Sequence, residues 1–276
     1  MSAAADAPVV VGVSGSEESL PVVRLAAREA AEHGRRLCVL HAFNWEAALA
    51  APSLAGARTE AERAISRAVG AAREVAADLP VDAHVVEGAA VAVLLRQSES
   101  AFLVVVGDGG MTTRDCVSPE AAAVQVASRA GCPTLVARLD PPPAGPVLVG
   151  LDGSATSRFA LDFALDCAAR HDGRLRAVRA VEPNGDGTRT EREVADLLAE
   201  RGSAHPTVTA EPAVLRGDPG QVLIDQSYSA RLVVVGARGD QPWRGLLGAV
   251  SQSLLYHAPA PVVFIRGVTD VPLETP

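Results

Sequence analysis

The chain contains two copies of one sequence pattern, and this repeat constrains its fold more than any other feature. Three pairs of segments match in the same order in both halves: Val9–Ser19 with Val147–Ser157, Phe102–Gly110 with Arg231–Gly239, and Ala130–Arg138 with Ala258–Arg266. Within the first pair, Gly12 and Gly15 correspond to Gly150 and Gly153. The repeat therefore predicts two homologous domains in one chain.

A Pro-rich segment, Asp140-P-P-P-A-Gly145, lies between the two copies. Such segments separate domains because proline and glycine interrupt regular structure. We expect a first domain over 1–139, a linker over 140–145, a second domain over 146–268 and a tail over 269–276.

Each copy alternates apolar strand-like runs with segments of helical periodicity. In the first copy the predicted strands are Val9–Val13, Leu37–Phe43, Val81–Val86, Phe102–Val106 and Thr134–Arg138. The predicted helices are Leu20–His33, Thr59–Leu79, Val91–Ser98 and Glu120–Arg129, and the second copy has a shorter second helix near Arg189–Arg201. Continuous β-branched runs indicate strands covered on both faces. Each domain is therefore predicted to be α/β, an open, mostly parallel, five-stranded, Rossmann-like sheet with helices on both faces.

Charge and composition exclude several classes of partner. The formal net charge is −8, which argues against long-range attraction to nucleic acid or to an anionic membrane. There is no lysine, so the G-x-x-x-x-G-K-[ST] phosphate loop is absent. The four cysteines lack C-x-x-C spacing. The first residues, M-S-A-A-A-D-A-P-V-V, lack the charged start and the long apolar core of a signal peptide, and no apolar run approaches the ~18 residues of a membrane helix. We expect a cytoplasmic protein with reduced thiols.

A glycine-rich loop follows the predicted fourth strand of the second copy, in Val233-V-V-G-A-R-G-D-Q-P-W-R-G-L-L-G-A-V-S-Gln252. Glycine lets backbone N–H groups approach an anion closely, and a helix that begins near Gly248 adds its positive dipole end. The hydroxyl of Ser251 and the charge of Arg238 would add to such a site. The alternative interpretation is an ordinary strand-to-helix turn, since short glycine motifs occur by chance.

The spacing of Gly236-x-x-Gly239, eight residues and Gly248 resembles the nucleotide-binding signature of the universal stress protein family. That signature is G-x-x-G, nine residues, and then G followed by Ser or Thr. Three further turns resemble those of the family: Gly150-L-D-G-Ser154, Arg216-G-D-Pro219 and His257-A-P-A-Pro261. The loop is one residue shorter than the signature, and Ala249 replaces its hydroxyl-bearing residue.

The resemblance implies that the second domain binds ATP or a related adenine nucleotide, with or without magnesium on its phosphates. By that resemblance Asp152 contacts the base or ribose, and the backbone around Val181 lines the base. The glycine loop and the helix start hold the phosphates. The candidate binding residues are Leu151, Asp152, Gly153, Val181, Gly236, Arg238, Gly239, Gly248, Ala249, Val250 and Ser251. D-G-S is also an ordinary turn, which is the alternative role for Asp152.

The first copy lacks most of these features. No glycine occurs in 111–119, and Glu120 aligns with Gly248, so a carboxylate would stand where a phosphate should lie. Ser14 also replaces the aspartate found at 152. Ser118-Pro119-Glu120 instead favours a self-capped helix start. We expect the first domain to be structural and to bind no nucleotide in the family manner.

The function predicted from these features is nucleotide-dependent regulation of a partner protein, which the sequence does not identify, without dedicated catalysis. The alternatives are a nucleotide-free interaction scaffold and a slow ATPase. No catalytic base or metal motif is evident; Cys167 and His171 have i, i+4 spacing but lack a second pair of ligands. The apolar fifth strands, Thr134–Arg138 and Val262–Arg266, are expected to pair and make the chain a pseudo-dimer, with further homodimerisation left open.

Overall fold

The computed structural model consists of two compact α/β units, one for each copy of the repeat. It describes residues 6–45, 49, 53–109, 121–139, 145–239 and 245–266. The first unit contains, in chain order, β1 (Val9–Val13), α1 (Ser19–Glu32), β2 (Leu37–Phe43), α2 (Leu54–Val75), β3 (Val81–Glu87), α3 (Ala90–Ser98), β4 (Leu103–Gly107), α4 (Ala122–Arg129) and β5 (Thr134–Ala137). The alternation of strands and helices follows the predicted order.

The second unit repeats this order. It contains β6 (Val147–Gly150), α5 (Ala155–Arg170), β7 (Arg174–Val181), α6 (Gly187–Gly202), β8 (Thr209–Arg216), α7 (Pro219–Ser227), β9 (Leu232–Gly236), α8 (Ala249–His257) and β10 (Val262–Ile265). The short second helix expected near Arg189–Arg201 is α6. It begins at Gly187 because the side chain of Asp186 caps it by accepting the Arg189 N–H at 3.0 Å.

Both units build parallel sheets of the same topology, as predicted. The strand order is β3-β2-β1-β4-β5 in the first unit and β8-β7-β6-β9-β10 in the second. The first strand of each unit pairs in parallel with its second and fourth strands. Because the strand order reverses there, a crevice forms beyond the carboxyl ends of β1 and β4, and of β6 and β9.

Buried aliphatic side chains fill the core of each unit, and the central strands are almost fully covered. In the first unit α1 packs against α2, and α3 packs against α4, as expected for a sheet with helices on both faces. At Gly150 a Cβ atom would lie 2.9 Å from Cδ1 of Leu223 and 3.0 Å from Cγ1 of Val235. Glycine at this position therefore lets α7 lie close to the end of β6.

Helix α2 differs most from its prediction. It spans Leu54–Val75 rather than Thr59–Leu79, because Ser53 caps it by accepting the Gly56 N–H at 3.2 Å. At the other end Ala76 is already extended, so the helix stops before the residues that precede Pro80.

Two predicted features lie outside the described residues: the helix start at Ser118-Pro119-Glu120 and most of the linker. Helix α4 is described from Ala122 onward. Cys38, Cys132 and Cys167 are buried and form no disulfide with one another. Within the described part of the chain, no helix is long and apolar enough to cross a membrane. The domain limits and the pairing of the two fifth strands stay predictions.

Candidate functional site

A cleft of about 390 Å³ opens at the carboxyl ends of β6 and β9, where the strand order of the second unit reverses. This volume lies within the usual range for small-molecule sites. Nine of the predicted candidates line it: Leu151, Asp152, Gly236, Arg238, Gly239, Gly248, Ala249, Val250 and Ser251. The fold thus brings together the turn after β6, the loop after β9 and the start of α8.

Asp152 follows β6 in a tight turn that fixes its side chain. Gly153 takes a positive φ of 88°, and the Ser154 N–H donates to Oδ1 of Asp152 at 2.9 Å. Burial acts to raise the pKa of Asp152, but hydrogen bonds from Ser154 and Ser157 outweigh it and leave the pKa below its ordinary value. Asp152 is therefore an ionised, oriented acceptor at the edge of the cleft.

The loop after β9 lies directly on the start of α5 and on Asp152. Thr156 donates its hydroxyl hydrogen to the Gly239 carbonyl at 2.8 Å. A Cβ at Gly236 would lie 3.0 Å from Cγ2 of Thr156, and a Cβ at Gly239 would lie 3.4 Å from Oδ2 of Asp152. Neither position has the positive φ that would require glycine, so the close approach of Thr156 is the reason for glycine at 236.

The start of α8 offers backbone donors to the cleft. Gly248 is the N-cap residue, and its own N–H is taken by the Ala237 carbonyl at 2.9 Å. The N–H groups of Ala249, Val250 and Ser251 find no acceptor among the described residues. Together with the positive end of the helix dipole, such donors suit one anionic group.

The hydroxyl of Ser251 has a different role from the one predicted. Ser251 is only 3% exposed, and its Oγ donates to the Gly236 carbonyl at 2.7 Å. This hydrogen bond holds α8 against the end of β9. The hydroxyl is therefore engaged within the fold, and Ser251 offers the cleft its backbone N–H. Ala249, at the first position of the helix, presents a methyl group.

Two arginines line the cleft, and only one of them was expected from the sequence. Arg238 was predicted; Arg179, on β7, was not. The Nη1 atom of Arg179 lies 3.4 Å from a carboxylate oxygen of Glu193. With Asp152 as the one acidic residue among the described lining residues, the formal charge of the lining is +1. The pairing of Gly150 with Val178 places Arg179 beside the site, and this register was not evident from the sequence.

Two predicted residues do not line the cleft. Val181 ends β7, and its carbonyl accepts the N–H of Gly217 at 3.1 Å, while Val178, Arg179 and Ala180 form the cleft wall. Gly153 lines an adjoining cavity of about 560 Å³ instead. The apolar lining residues Pro219, Leu223 and Val235 were also missed. They come from α7 and β9 and reach the site only through the packing of the helix on the sheet.

The first unit has a cavity of about 420 Å³ at the corresponding place, beyond β1 and β4. Ser14 occupies the position of Asp152, and its Oγ lies 2.7 Å from Oγ of Ser19. Asp108 occupies the position of Ala237 and lies 3.6 Å from Arg138, with both side chains buried. The two units therefore present different chemistry at equivalent positions.

Comparisons with known proteins agree with this architecture. The universal stress protein family profile matches residues 7–138 and 144–266. Universal stress protein Rv2005c of Mycobacterium tuberculosis is 34% identical, covering 94% of this chain and 96% of its own length. A universal stress protein of Mycolicibacterium smegmatis is 31% identical with the same coverage. The crystal structure of one from Archaeoglobus fulgidus, at 16% identity, has a TM-score of 0.75 over 95% of this chain and 97% of its own, and so has the same fold.

Proposed function

The chain belongs to the universal stress protein family, and on that basis we propose that its second domain binds an adenine nucleotide as a regulatory ligand. Occupancy of this site controls the binding of a partner protein, and the nucleotide is not consumed. One observation carries the proposal. The cleft combines an ionised carboxylate, Asp152, with the unbonded N–H groups at the start of α8.

The base and ribose occupy the side of the cleft next to β6 and β7. Its walls are apolar there, formed by Leu151, Val178, Leu223 and Val235. A flat heterocycle gains by burial against such walls, since apolar surface contributes roughly 25 cal/mol per Å². The carboxylate of Asp152 accepts hydrogen bonds from hydroxyl or amino groups of the nucleoside.

The phosphate lies at the start of α8, beside the N–H groups of Ala249, Val250 and Ser251, three residues that line the cleft. Arg238 adds a positive charge on the same side. These donors suit one phosphoryl group, with charge-assisted hydrogen bonds each contributing about 1.5–3 kcal/mol.

The described residues of this cleft do not form a Mg²⁺ site by themselves. Asp152 supplies the single carboxylate among the described lining residues, and the remaining polar groups are cations and backbone donors. Because Mg²⁺ requires oxygen ligands, it would be held mainly by the phosphates of the nucleotide.

The experiment is calorimetric titration of ATP, ADP, AMP and cyclic AMP into nucleotide-stripped protein, compared with Gly248→Glu and Gly248→Gln. Gly248 has φ −67°, and a Cβ there would meet no atom of the described residues closer than 3.7 Å, so neither variant strains the backbone. We expect about one nucleotide per chain for wild type and the Gln variant, and at least about tenfold weaker binding for the Glu variant.

Absence of heat for the wild type at millimolar nucleotide would reject the proposal and leave the nucleotide-free scaffold as the function. Turnover of ATP that copurifies with the protein, and that Gly248→Glu abolishes, would instead favour the slow ATPase.

A further inference from the structure

The cavity of the first unit is called here the first-domain cavity, and the described residues that line it all belong to that unit. Its volume is about 420 Å³, similar to that of the second-domain cleft. Most of its wall is aliphatic, formed by Val13, Val22, Leu40, Val93, Leu94 and Val106. A cavity of this size with apolar walls and a few polar groups is typical of small-molecule sites.

Polar groups on one side of the first-domain cavity can orient a ligand. Ser14, at the end of β1, presents a hydroxyl that shares hydrogen bonds with Ser16 and Ser19. His41 also lines the cavity, and its Nδ1 lies 3.2 Å from the Val13 carbonyl. A carbonyl can only accept, so Nδ1 donates in this contact, and the tautomer with its proton on Nδ1 leaves Nε2 as an acceptor.

The charges of the cavity oppose a phosphate. Asp108 and Arg138 form a buried pair at 3.6 Å, with side chains 2% and 3% exposed, and so compensate each other. Glu18 lies at the rim. The formal charge of the described lining is therefore −1 with His41 neutral, whereas the second-domain cleft carries +1.

Asp108 also places a carboxylate where the second domain has an uncharged residue. It follows β4 directly, where Ala237 follows β9. Because the guanidinium of Arg138 is already paired with this carboxylate, it offers no uncompensated positive charge to a phosphoryl group in the first-domain cavity.

We propose that the first-domain cavity binds an uncharged heterocyclic ligand of nucleoside size, and that it rejects the phosphorylated forms. The apolar walls receive the flat ring, Ser14 and His41 supply hydrogen bonds, and the negative lining excludes phosphate. The second domain would then prefer a phosphorylated ligand, and the first domain an uncharged one. This inference does not depend on nucleotide binding by the second domain.

The test measures binding of adenosine and AMP by calorimetry to the whole chain carrying Leu223→Trp, which fills the second-domain cleft. Leu94→Trp is the matched change in the first domain, because Leu94 and Leu223 occupy equivalent positions on α3 and α7. We expect adenosine to bind the Leu223→Trp protein and AMP to bind it at least tenfold more weakly. Adding Leu94→Trp should abolish adenosine binding.

Two exposed residues provide variants that leave the core intact. Ser14→Trp closes the mouth of the first-domain cavity and should also abolish adenosine binding. Glu18→Gln removes one rim charge and should bring AMP binding two- to threefold closer to that of adenosine. Circular dichroism and a single cooperative melt establish folding for each variant. Three results would overturn the proposal: no adenosine binding at several millimolar, AMP binding as tight as adenosine, or adenosine binding that survives both tryptophans.

Discussion

The hydroxyl of Ser251 donates a 2.7 Å hydrogen bond to the carbonyl of Gly236, and so joins the start of α8 to the end of β9. Both residues line the cleft, so this bond also sets the distance between the glycine loop and the helix donors. The side chain is 3% exposed, which protects the bond from water.

We expect Ser251→Ala to lower the free energy of unfolding by about 1–2 kcal/mol, because a buried carbonyl loses its donor. Ser253→Ala is the matched control on the same helix, where the hydroxyl returns to the Ala249 carbonyl at an exposed site. Its effect should stay within about 0.5 kcal/mol. Urea unfolding measures both, and equal effects would contradict the role given to Ser251.

Ala249→Ser should strengthen nucleotide binding. Ala249 is the first residue of α8 and lines the cleft, so a hydroxyl there adds a donor beside the phosphate. We expect a gain of about three- to tenfold in AMP affinity, which corresponds to about 0.7–1.4 kcal/mol. Ala122→Ser, at the first position of α4 in the first domain, is the control and should leave AMP affinity unchanged in a calorimetric titration. If Ala122→Ser raised AMP affinity and Ala249→Ser did not, the phosphate would lie in the first domain, and this prediction would be wrong.

The repeat and the strand pattern were enough to predict the fold class and the order of elements. Continuous apolar runs such as Val9–Val13 indicate buried parallel strands, and this pattern can be recognised in one sequence alone. Helix ends were less predictable. The start of α2 depends on the Ser53 cap, and many serines in the chain are not caps.

The residues of the candidate site that lie in local turns could be predicted from the sequence. Those that reach the cleft through the packing of distant elements could not. Asp152 and the glycines lie in short motifs at strand ends, so the pattern indicates them directly. Arg179 and Leu223 enter the cleft through strand register and the position of α7 on the sheet. The hydrogen bond of Ser251 to Gly236 likewise depends on where α8 meets β9.

We expect the contribution of Asp152 to the free energy of unfolding to decrease as the pH falls. Its pKa is lower in the folded protein than the ordinary value of 3.8, because hydrogen bonds from Ser154 and Ser157 outweigh burial. The carboxylate therefore contributes fully to the free energy of unfolding at pH values above its pKa in the unfolded chain. This contribution is lost as the pH falls through its lower pKa in the folded protein. Asp152→Asn should cost about 1 kcal/mol at pH 7 and progressively less below about pH 4. Urea unfolding at several pH values measures this, and a cost that grows on acidification would refute it.

The buried pair of Asp108 and Arg138 should matter far more than an exposed pair. Burial lowers the pKa of Arg138 to about 10, and the charge of Asp108 opposes that shift. Removing one partner leaves the other charge buried, so Asp108→Asn or Arg138→Met should each cost about 3–5 kcal/mol. The double variant, Asp108→Asn with Arg138→Met, should recover much of that loss because neither charge is then left buried without its partner.

Arg24 and Glu74 provide the matched control for this pair. They lie 2.9 Å apart, with side chains 39% and 64% exposed. Arg24→Met should cost no more than about 1 kcal/mol. A double-mutant cycle by urea unfolding gives the coupling energy of each pair, and a coupling at Asp108 and Arg138 as small as the exposed one would contradict the account.

The most direct test of the central claim is to locate a bound nucleotide on the chain. Stripped protein is irradiated with 8-azido-ATP, and mass spectrometry identifies the labelled peptides. The account predicts label within 147–158 or 174–181, around Asp152 and Arg179, and suppression of that label by excess ATP. Label in the first domain that ATP displaces, or label in either domain that ATP does not displace, would contradict it.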